Sequence, residues 1–280
     1  MHCTSGERRI WHKNAVLLET LALLAAGAAV LWRLVRYQPQ KKPAAVCVSV
    51  GYTLLVLAGA WCYHEARHSG LWVMVGGCAV LSGLFWLTRK QYHNQRRRVS
   101  LLLLGTSFLL KFFYVCYTPI TRRQHDVGKF GDADNHAGYI TYLLQHQRLP
   151  DFDPRGHWQF YHPPLHHMIS ALWLWLSEHV FGISNAAAQE SLQTLSLFYA
   201  MAIVITAYRI LRHFRLEGMA LYAPLAVVAF HPSFILFSGS INNDALSVVF
   251  ILGAVLWTLK WYEKQTWEGI VKIASASGWA

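Results

Sequence analysis

Apolar runs of about 20 residues, separated by short polar segments, make up most of the sequence. A helix needs about 20 predominantly apolar residues to cross a bilayer. The stretch 164–181 is a marginal candidate beside the clearer runs. The pattern predicts an all-α, polytopic integral membrane protein with about seven or eight transmembrane helices. The clear runs are 14–33, 44–63, 71–88, 99–118, 188–208, 219–238 and 244–261.

The spacing of these runs predicts three parts of the chain. Residues 1–98 hold the first three spans, and 99–262 form a membrane core whose spans flank a long polar loop at 119–187. Residues 263–280 are the predicted start of a further span. Because a connection as long as this loop usually carries function in a compact domain, we expect the chemistry to lie there.

Composition and charge support a membrane location. The chain is 54% hydrophobic and 14% charged, whereas soluble domains hold about 25% charged residues. The net charge of +11 comes from short basic clusters between the apolar runs, without a nucleic-acid-binding motif. We therefore expect no nucleic-acid partner and assign the clusters to the cytoplasmic face.

This orientation makes the loop extracytoplasmic. The stretch 164–181 then lies on or within the outer leaflet, because a full crossing would put the basic residues after 188–208 on the wrong side. Trp173 and Trp175 are predicted to lie at the depth of the lipid headgroups.

Acidic residues near the start of the loop are candidates for catalysis. Asp126 follows the predicted span 99–118 by eight residues, where a carboxylate can accept a proton from a hydroxyl group or hold a metal. Asp132 and Asp134 form a D-x-D pattern that can place two carboxylates on one Mg²⁺ or Mn²⁺ with a phosphate. Alternatively, Asp126 is a solvated loop acid and Asp134 is the N-cap of a helix predicted over 135–147.

That predicted helix has a narrow apolar face formed by Tyr139, Ile140, Leu143 and Leu144. An amphipathic pattern of this kind is typical of a helix that lies flat on lipid. We therefore expect the face to contact the membrane surface.

The sequence YHPPLHH, which begins at Tyr161, suggests two kinds of site. His162 and His166 are four residues apart, a spacing that can put two imidazoles on one helical face, as in a zinc site. The preferred interpretation makes His162 a hydrogen-bond donor to phosphate or sugar, with His136 and Tyr161 in similar roles.

Two further polar groups lie close to predicted spans. Arg122 and Arg123 can neutralise a lipid phosphate, or simply anchor the chain beside the headgroups. Asn243 and Asp244 lie in a short loop at the start of the span 244–261, where they are candidates for substrate binding or for helix capping.

The order of these motifs resembles that of the membrane glycosyltransferases of the C superfamily, which include protein mannosyltransferases and aminoarabinose transferases acting on lipid A. The resemblance implies transfer of a sugar from a polyprenyl-phosphate donor to a lipid, glycan or protein acceptor, at the extracytoplasmic face and among membrane lipids. It implies that Asp126 is the base or positions the acceptor, and that Asp134 and His136 line the donor site. The matching motifs are Asp126, the helix that follows Asp134, Pro163-Pro164-Leu165, Phe181-Gly182, His231-Pro232 and Asn243-Asp244.

Two other functions remain open. A lipid-binding or transporter-like membrane protein would hold ionisable residues within its spans, where Glu19 and Lys111 are the candidates. A metal-dependent hydrolase would use Asp126, Asp134 and the histidines. Transferases of the resembling group continue for further spans, so we expect this chain to be part of a longer protein.

Overall fold

A computed structural model describes residues 95–120 and 127–279, and the fold over these residues is helical throughout, without strands. The predicted all-α class is confirmed over this part of the chain. The helices are α1 (Gln95–Tyr117), α2 (Asn135–His146), α3 (Leu165–His179), α4 (Asn185–His213), α5 (Met219–Phe230), α6 (Pro232–Leu236), α7 (Asp244–Glu263) and α8 (Trp267–Gly278), with a 3₁₀ turn at Pro154–Gly156.

Within the described ranges, α1, α4 and α7 are long and apolar enough to cross a membrane. They correspond to the predicted spans 99–118, 188–208 and 244–261. The spans predicted at 14–33, 44–63 and 71–88 lie outside the described residues. At 12 residues, the final helix α8 is about 18 Å long and packs along α7.

The run 219–238 is not one continuous helix, because it is interrupted at His231, where the His231-Pro232 pair favours a kink. The 12-residue helix α5 ends at Phe230, and α6 begins at Pro232. His231 lies between them with φ −59° and ψ 127°, outside the helical region. Pro232 has no N–H to donate back to the preceding turn, so the break leaves carbonyl groups without their helical donors.

One of these carbonyls, that of Ala229, is bound by side chains of α1. In a continuous helix it would accept from the N–H of Ser233, but that N–H donates to Nδ1 of His231 at 3.3 Å. Lys111 Nζ and Ser107 Oγ donate to the Ala229 oxygen instead, at 2.7 and 2.8 Å. Lys111 is fully buried. A buried lysine on a candidate span therefore holds the end of the broken helix in place.

The helices α2 and α3 pack against each other, and α3 also packs on α4. The helix predicted over 135–147 is confirmed as α2. Its apolar residues Tyr139, Ile140 and Leu143 are buried in the core shared with α3, α4 and α7. The expectation that the whole face lies on lipid is therefore wrong, because protein covers Tyr139 and Ile140, whereas Leu144 is only partly buried.

The 15-residue helix α3 is too short to be a complete span. Trp173 on this helix is partly buried, and its Nε1 donates to Ser191 Oγ of α4 at 2.8 Å. The indole N–H of Trp173 is thus bound within the protein, and its depth relative to the lipid headgroups stays a prediction. Trp175 is 41% exposed and is free to contact the surroundings of the protein.

A polar strip on α4 fixes the ends of the neighbouring helices. Gln193 is buried, and its Nε2 donates to the carbonyl oxygens of Thr118 and Gly239 at 2.6 and 2.8 Å. One turn earlier, Glu190 Oε2 accepts from the N–H of Ile120 at 3.1 Å. These bonds tie the end of α1 and the connection between α6 and α7 to the first half of α4.

Candidate functional site

Two polar segments of the long loop meet where α2 and α3 begin. His136 Nδ1 and His167 Nε2 are 2.9 Å apart and form a hydrogen bond between residues 31 positions apart in the chain. Both side chains are buried. The ring of His162 stacks on that of His136, with the centroids 5.6 Å apart. The D-A-D-N-H and YHPPLHH motifs therefore form one cluster, which we call the histidine cluster: His136, His162, His166 and His167.

The prolines of YHPPLHH determine which of its histidines lie on α3 and which one precedes the helix. Pro164 is the N-cap residue of α3, so the helix starts at Leu165 and His162 lies before it. A proline is tolerated at a helix start because the first N–H groups have no helical partner. The predicted arrangement of His162 and His166 on one helical face is therefore wrong. His166 turns instead toward α4, where its ring meets that of Tyr199 edge to face at 6.0 Å.

Burial keeps His166 and His167 of α3 neutral. It lowers the pKa of His166 from 6.5 to about 3, and the nearby His136 contributes in the same direction. Burial likewise lowers the pKa of His167 well below its usual value, and the other three members of the cluster lower it further, against a hydrogen bond with the backbone of Pro163. A neutral imidazole has one donor and one acceptor nitrogen. The bond between His136 and His167 thus joins an N–H of one ring to the lone pair of the other.

Polar atoms beside the cluster lack hydrogen-bond partners among the described residues. They are Nδ1 of His166 and the hydroxyl of Tyr199, and both side chains are buried. Buried polar atoms are nearly always hydrogen-bonded, to protein or to ordered water. Their adjacency indicates room for a water molecule or a polar group of a ligand between α3 and α4.

The carboxylate of Asp134 faces His157 and Trp158, and not the first turn of α2 as helix capping would require. Asp134 occupies the N-cap position of α2, but its side chain makes no capping hydrogen bond. Its Oδ1 lies 3.3 Å from the N–H of Trp158, which donates to it, and 3.3 Å from Nδ1 of His157. The interpretation of the Asp134 side chain as a helix cap is therefore wrong. His157 is a neighbour that the sequence reasoning missed, although it lies only four residues before Tyr161.

The D-x-D pair has a limited set of metal ligands around it. Asp132 is exposed, and the side chain of Asp134 is 50% exposed. Over residues 95–120 and 127–279, no group of three or more His, Cys, Asp or Glu side chains is arranged to hold a metal. Mg²⁺ commonly binds through one or two carboxylates plus substrate phosphates and water. A Mg²⁺ or Mn²⁺ ion held by Asp132 and Asp134 would take its further ligands from a substrate phosphate or from water.

The remaining candidates lie at two places in the described structure. Tyr161 is 54% exposed, and its ring meets that of His162 at 4.6 Å. Asn243 is the N-cap residue of α7, but its side chain makes no cap, and its buried Oδ1 has no partner among the described residues. Asp244 is exposed and accepts from Asn242 Nδ2 at 3.4 Å. The candidates Arg122, Arg123 and Asp126 lie outside the described residues.

Gly138→Ala tests how tightly the D-x-D segment is held against α2. Alanine normally favours a helix interior over glycine by about 1 kcal/mol. At Gly138, however, a Cβ would lie 2.8 Å from the carbonyl oxygen of Asp132 and 3.2 Å from the carbonyl carbon of Ala133. We expect a loss of about 1–3 kcal/mol in unfolding free energy, measured by thermal unfolding in detergent, because backbone atoms must move. Gly253→Ala is the control, since its Cβ would meet only Ala276 Cβ at 4.0 Å. Equal stability of the two variants would contradict the prediction.

No protein-family model, curated protein or solved structure matches the chain. Its function is therefore inferred from its own residues. The features available are the His136–His167 pair, the Asp134 carboxylate beside His157, and the unpartnered hydroxyl of Tyr199.

Proposed function

We propose that this protein is a membrane glycosyltransferase that moves a sugar from a polyprenyl-phosphate donor to a lipid, glycan or protein acceptor at the extracytoplasmic face. The observation that carries the proposal is the hydrogen bond between His136 and His167. It joins the helix that follows Asp134 to the helix that follows Pro163-Pro164-Leu165, and both belong to the motifs that carry the resemblance to membrane glycosyltransferases. Motifs that belong to one active site have to come together in this way.

The proposed chemistry is a displacement at the sugar carbon that bears the phosphate. It requires a base at the acceptor hydroxyl and stabilisation of charge on the departing phosphate. Asp126 is the proposed base. The carbonyl of the next residue, Val127, accepts from the N–H of Ala137 at 2.9 Å. This contact ties the chain immediately after Asp126 to the first turn of α2, which carries His136.

The donor is proposed to bind where Asp134 and His136 meet the second motif. A neutral imidazole and a tyrosine hydroxyl can donate hydrogen bonds to a phosphate or sugar oxygen, which gives His162 and Tyr161 this role. Arg122 and Arg123 would supply positive charge. Asp132 and Asp134 would hold a divalent metal if one is used, and that metal would neutralise phosphate charge. Asn243 and Asp244 are proposed to contact the substrate from the start of α7.

The contacts between α1 and α4 show the direction of these two helices, and hence the end of the helices at which the long loop lies. The end of α1 meets the start of α4 through Ile120 and Glu190. The opposite end of α1 meets the connection after α4 through the ion pair of Arg96 and Glu217. The two helices thus run antiparallel, and the loop between them emerges at one end. We propose that this end is extracytoplasmic, in a protein of seven or eight spans, because the basic clusters gather at the other end.

Asp134→Asn is the direct test. Native mass spectrometry of the detergent-purified chain would measure retained or added polyprenyl phosphate. With Mg²⁺ or Mn²⁺ present we expect binding to weaken at least about tenfold, because the variant loses a carboxylate that would hold the cation against the lipid phosphate, and sugar transfer to fall in parallel. Asp153→Asn is the matched control, because its exposed carboxylate binds the neighbouring Arg155 at 2.6 Å.

Three outcomes separate the possibilities in this experiment. Loss of binding in Asp134→Asn alone supports the transferase site. Equal binding by the wild type and both variants, or no binding by a folded wild-type chain, contradicts it. The melting temperature of each variant reports whether it is folded.

A transporter-like or lipid-binding protein is the second candidate. Discontinuous helices mark substrate sites in many transporters, and α5 and α6 are interrupted beside the buried Lys111. This candidate predicts that the chain binds polyprenyl phosphate without consuming a sugar-charged donor. A donor that stays intact with lipid, glycan and peptide acceptors would favour it, whereas release of a free sugar without any acceptor would favour a hydrolase.

A further inference from the structure

The polarity of α3 is reversed relative to a helix that packs on a core and faces water. Its buried side is made mostly of polar and small residues, whereas its exposed side is apolar. Helices at a protein–water boundary normally show the opposite pattern. The buried residues are His166, His167, Ser170, Ala171, Leu174 and Ser177, and the large exposed apolar ones include Met168, Leu172 and Trp175.

An apolar groove runs along this exposed side, between α2 and α3. Its volume is about 410 Å³, within the range of roughly 300–1,000 Å³ typical of small-molecule sites. Leu143 and Leu144 of α2 form one wall, and Met168, Leu172 and Trp175 of α3 contribute to the other. Most of the groove lining is therefore apolar, and a molecule that enters the groove would contact mainly hydrocarbon side chains.

We propose that this groove binds one acyl chain of a membrane phospholipid. The connection between α3 and α4 supports this occupant. Only the five residues 180–184 separate α3 from α4, a candidate membrane span, and five extended residues reach at most about 18 Å. The end of α3 therefore lies close to a candidate span, which brings the exposed apolar side chains of α3 near the lipid around that span.

The polar residues that line the groove do not change the proposal that it binds a lipid acyl chain. Gln147 and Arg148 follow the end of α2. Arg148 pairs with Asp151 at 2.9 Å, and both side chains are more than half exposed. A carboxylate beside the guanidinium leaves little net charge to select an anionic headgroup. The site is defined by the hydrocarbon chain, and it does not depend on whether the protein transfers a sugar.

Photo-crosslinking to lipid tests the proposal in the full chain. p-Benzoylphenylalanine would replace Leu172, which is 57% exposed, in protein reconstituted into phosphatidylcholine nanodiscs. Ile251, 50% exposed on the candidate span α7, is the positive control. Arg155, with a side chain 88% exposed in the loop, is the negative control. After irradiation we expect the mass of one phospholipid to be added at Leu172 and at Ile251, but not at Arg155.

Two results would overturn the lipid assignment. An adduct at Ile251 without one at Leu172 would mean that α3 faces water. A cross-linked species of twice the chain mass at Leu172 would mean that a second copy of the chain covers the groove.

A second substitution distinguishes the groove from the outer surface of α3. Leu144→Trp, combined with the probe at Leu172, narrows the groove from the α2 side. We expect the yield of lipid adduct at Leu172 to fall at least threefold, while the yield at Ile251 in the same background stays unchanged. An unchanged yield at Leu172 would show that lipid only touches the outside of α3, which would overturn the groove site.

Discussion

Acidification from about pH 7.5 to about pH 5 is expected to destabilise the protein by roughly 2 kcal/mol through His166 alone. The pKa of this buried histidine is lowered from 6.5 to about 3. Below pH 6.5 the unfolded chain binds a proton at this position, whereas the folded chain does not. Stability is therefore fully present above pH 6.5 and is lost progressively as the pH falls toward the folded pKa. His167 adds to the loss, because burial lowers its pKa in the same direction.

Thermal unfolding in detergent across this pH range measures the effect. His167→Gln should make the acid limb of the stability curve shallower without removing it, because glutamine can hydrogen-bond to His136 and does not titrate, whereas His166 is still present. His146→Gln, on the exposed side of α2, is the control and should leave the acid limb in place. A melting temperature that is the same at pH 5 and pH 7.5 would contradict the burial of neutral histidines between α2, α3 and α4.

Gln193→Leu is expected to cost roughly 2–5 kcal/mol of unfolding free energy, since it leaves two buried acceptors without a donor. The amide of Gln193 donates to the carbonyl oxygens of Thr118 and Gly239. Leucine has a similar size but no donor. Both the end of α1 and the connection before α7 would lose their attachment to α4.

The matched control for this variant is Gln189→Leu, one turn earlier on the same helix. Gln189 donates to the side chain of Asn185 at the exposed start of α4, so its loss should change stability by less than about 0.5 kcal/mol. Thermal unfolding of both variants at neutral pH gives the comparison. Equal losses would show that the backbone oxygens near Gln193 find other donors.

The long helices could be predicted from the sequence because bilayer thickness sets the length of an apolar run. The predicted spans 99–118 and 244–261 lie within a few residues of α1 and α7. In the run 219–238, averaged hydropathy continues across His231 and does not show the break. The break is signalled by Pro232, which has no N–H to donate to the preceding turn.

The candidate site could be predicted only in part. Polar residues such as His136 and His162 stand out in a long loop, and both belong to the cluster. The bond from His136 to His167 depends on how α2 packs on α3, and residue spacing does not encode it. Histidine is also more often half-exposed than fully buried, so the sequence does not indicate that His166 and His167 face inward. The role of Asp126 stays a prediction.

The pairing of Lys111 with Ala229 has a consequence for the order of events during synthesis. The ammonium group and the carbonyl that binds it are 118 residues apart. A ribosome adding about 5–20 residues per second needs roughly 6–24 seconds to make the intervening chain. Throughout that interval the carbonyl of Ala229 does not yet exist. A lysine near the centre of an inserted helix costs about 3 kcal/mol during translocon insertion. The newly made α1 therefore carries its lysine without this partner until α5 has been synthesised.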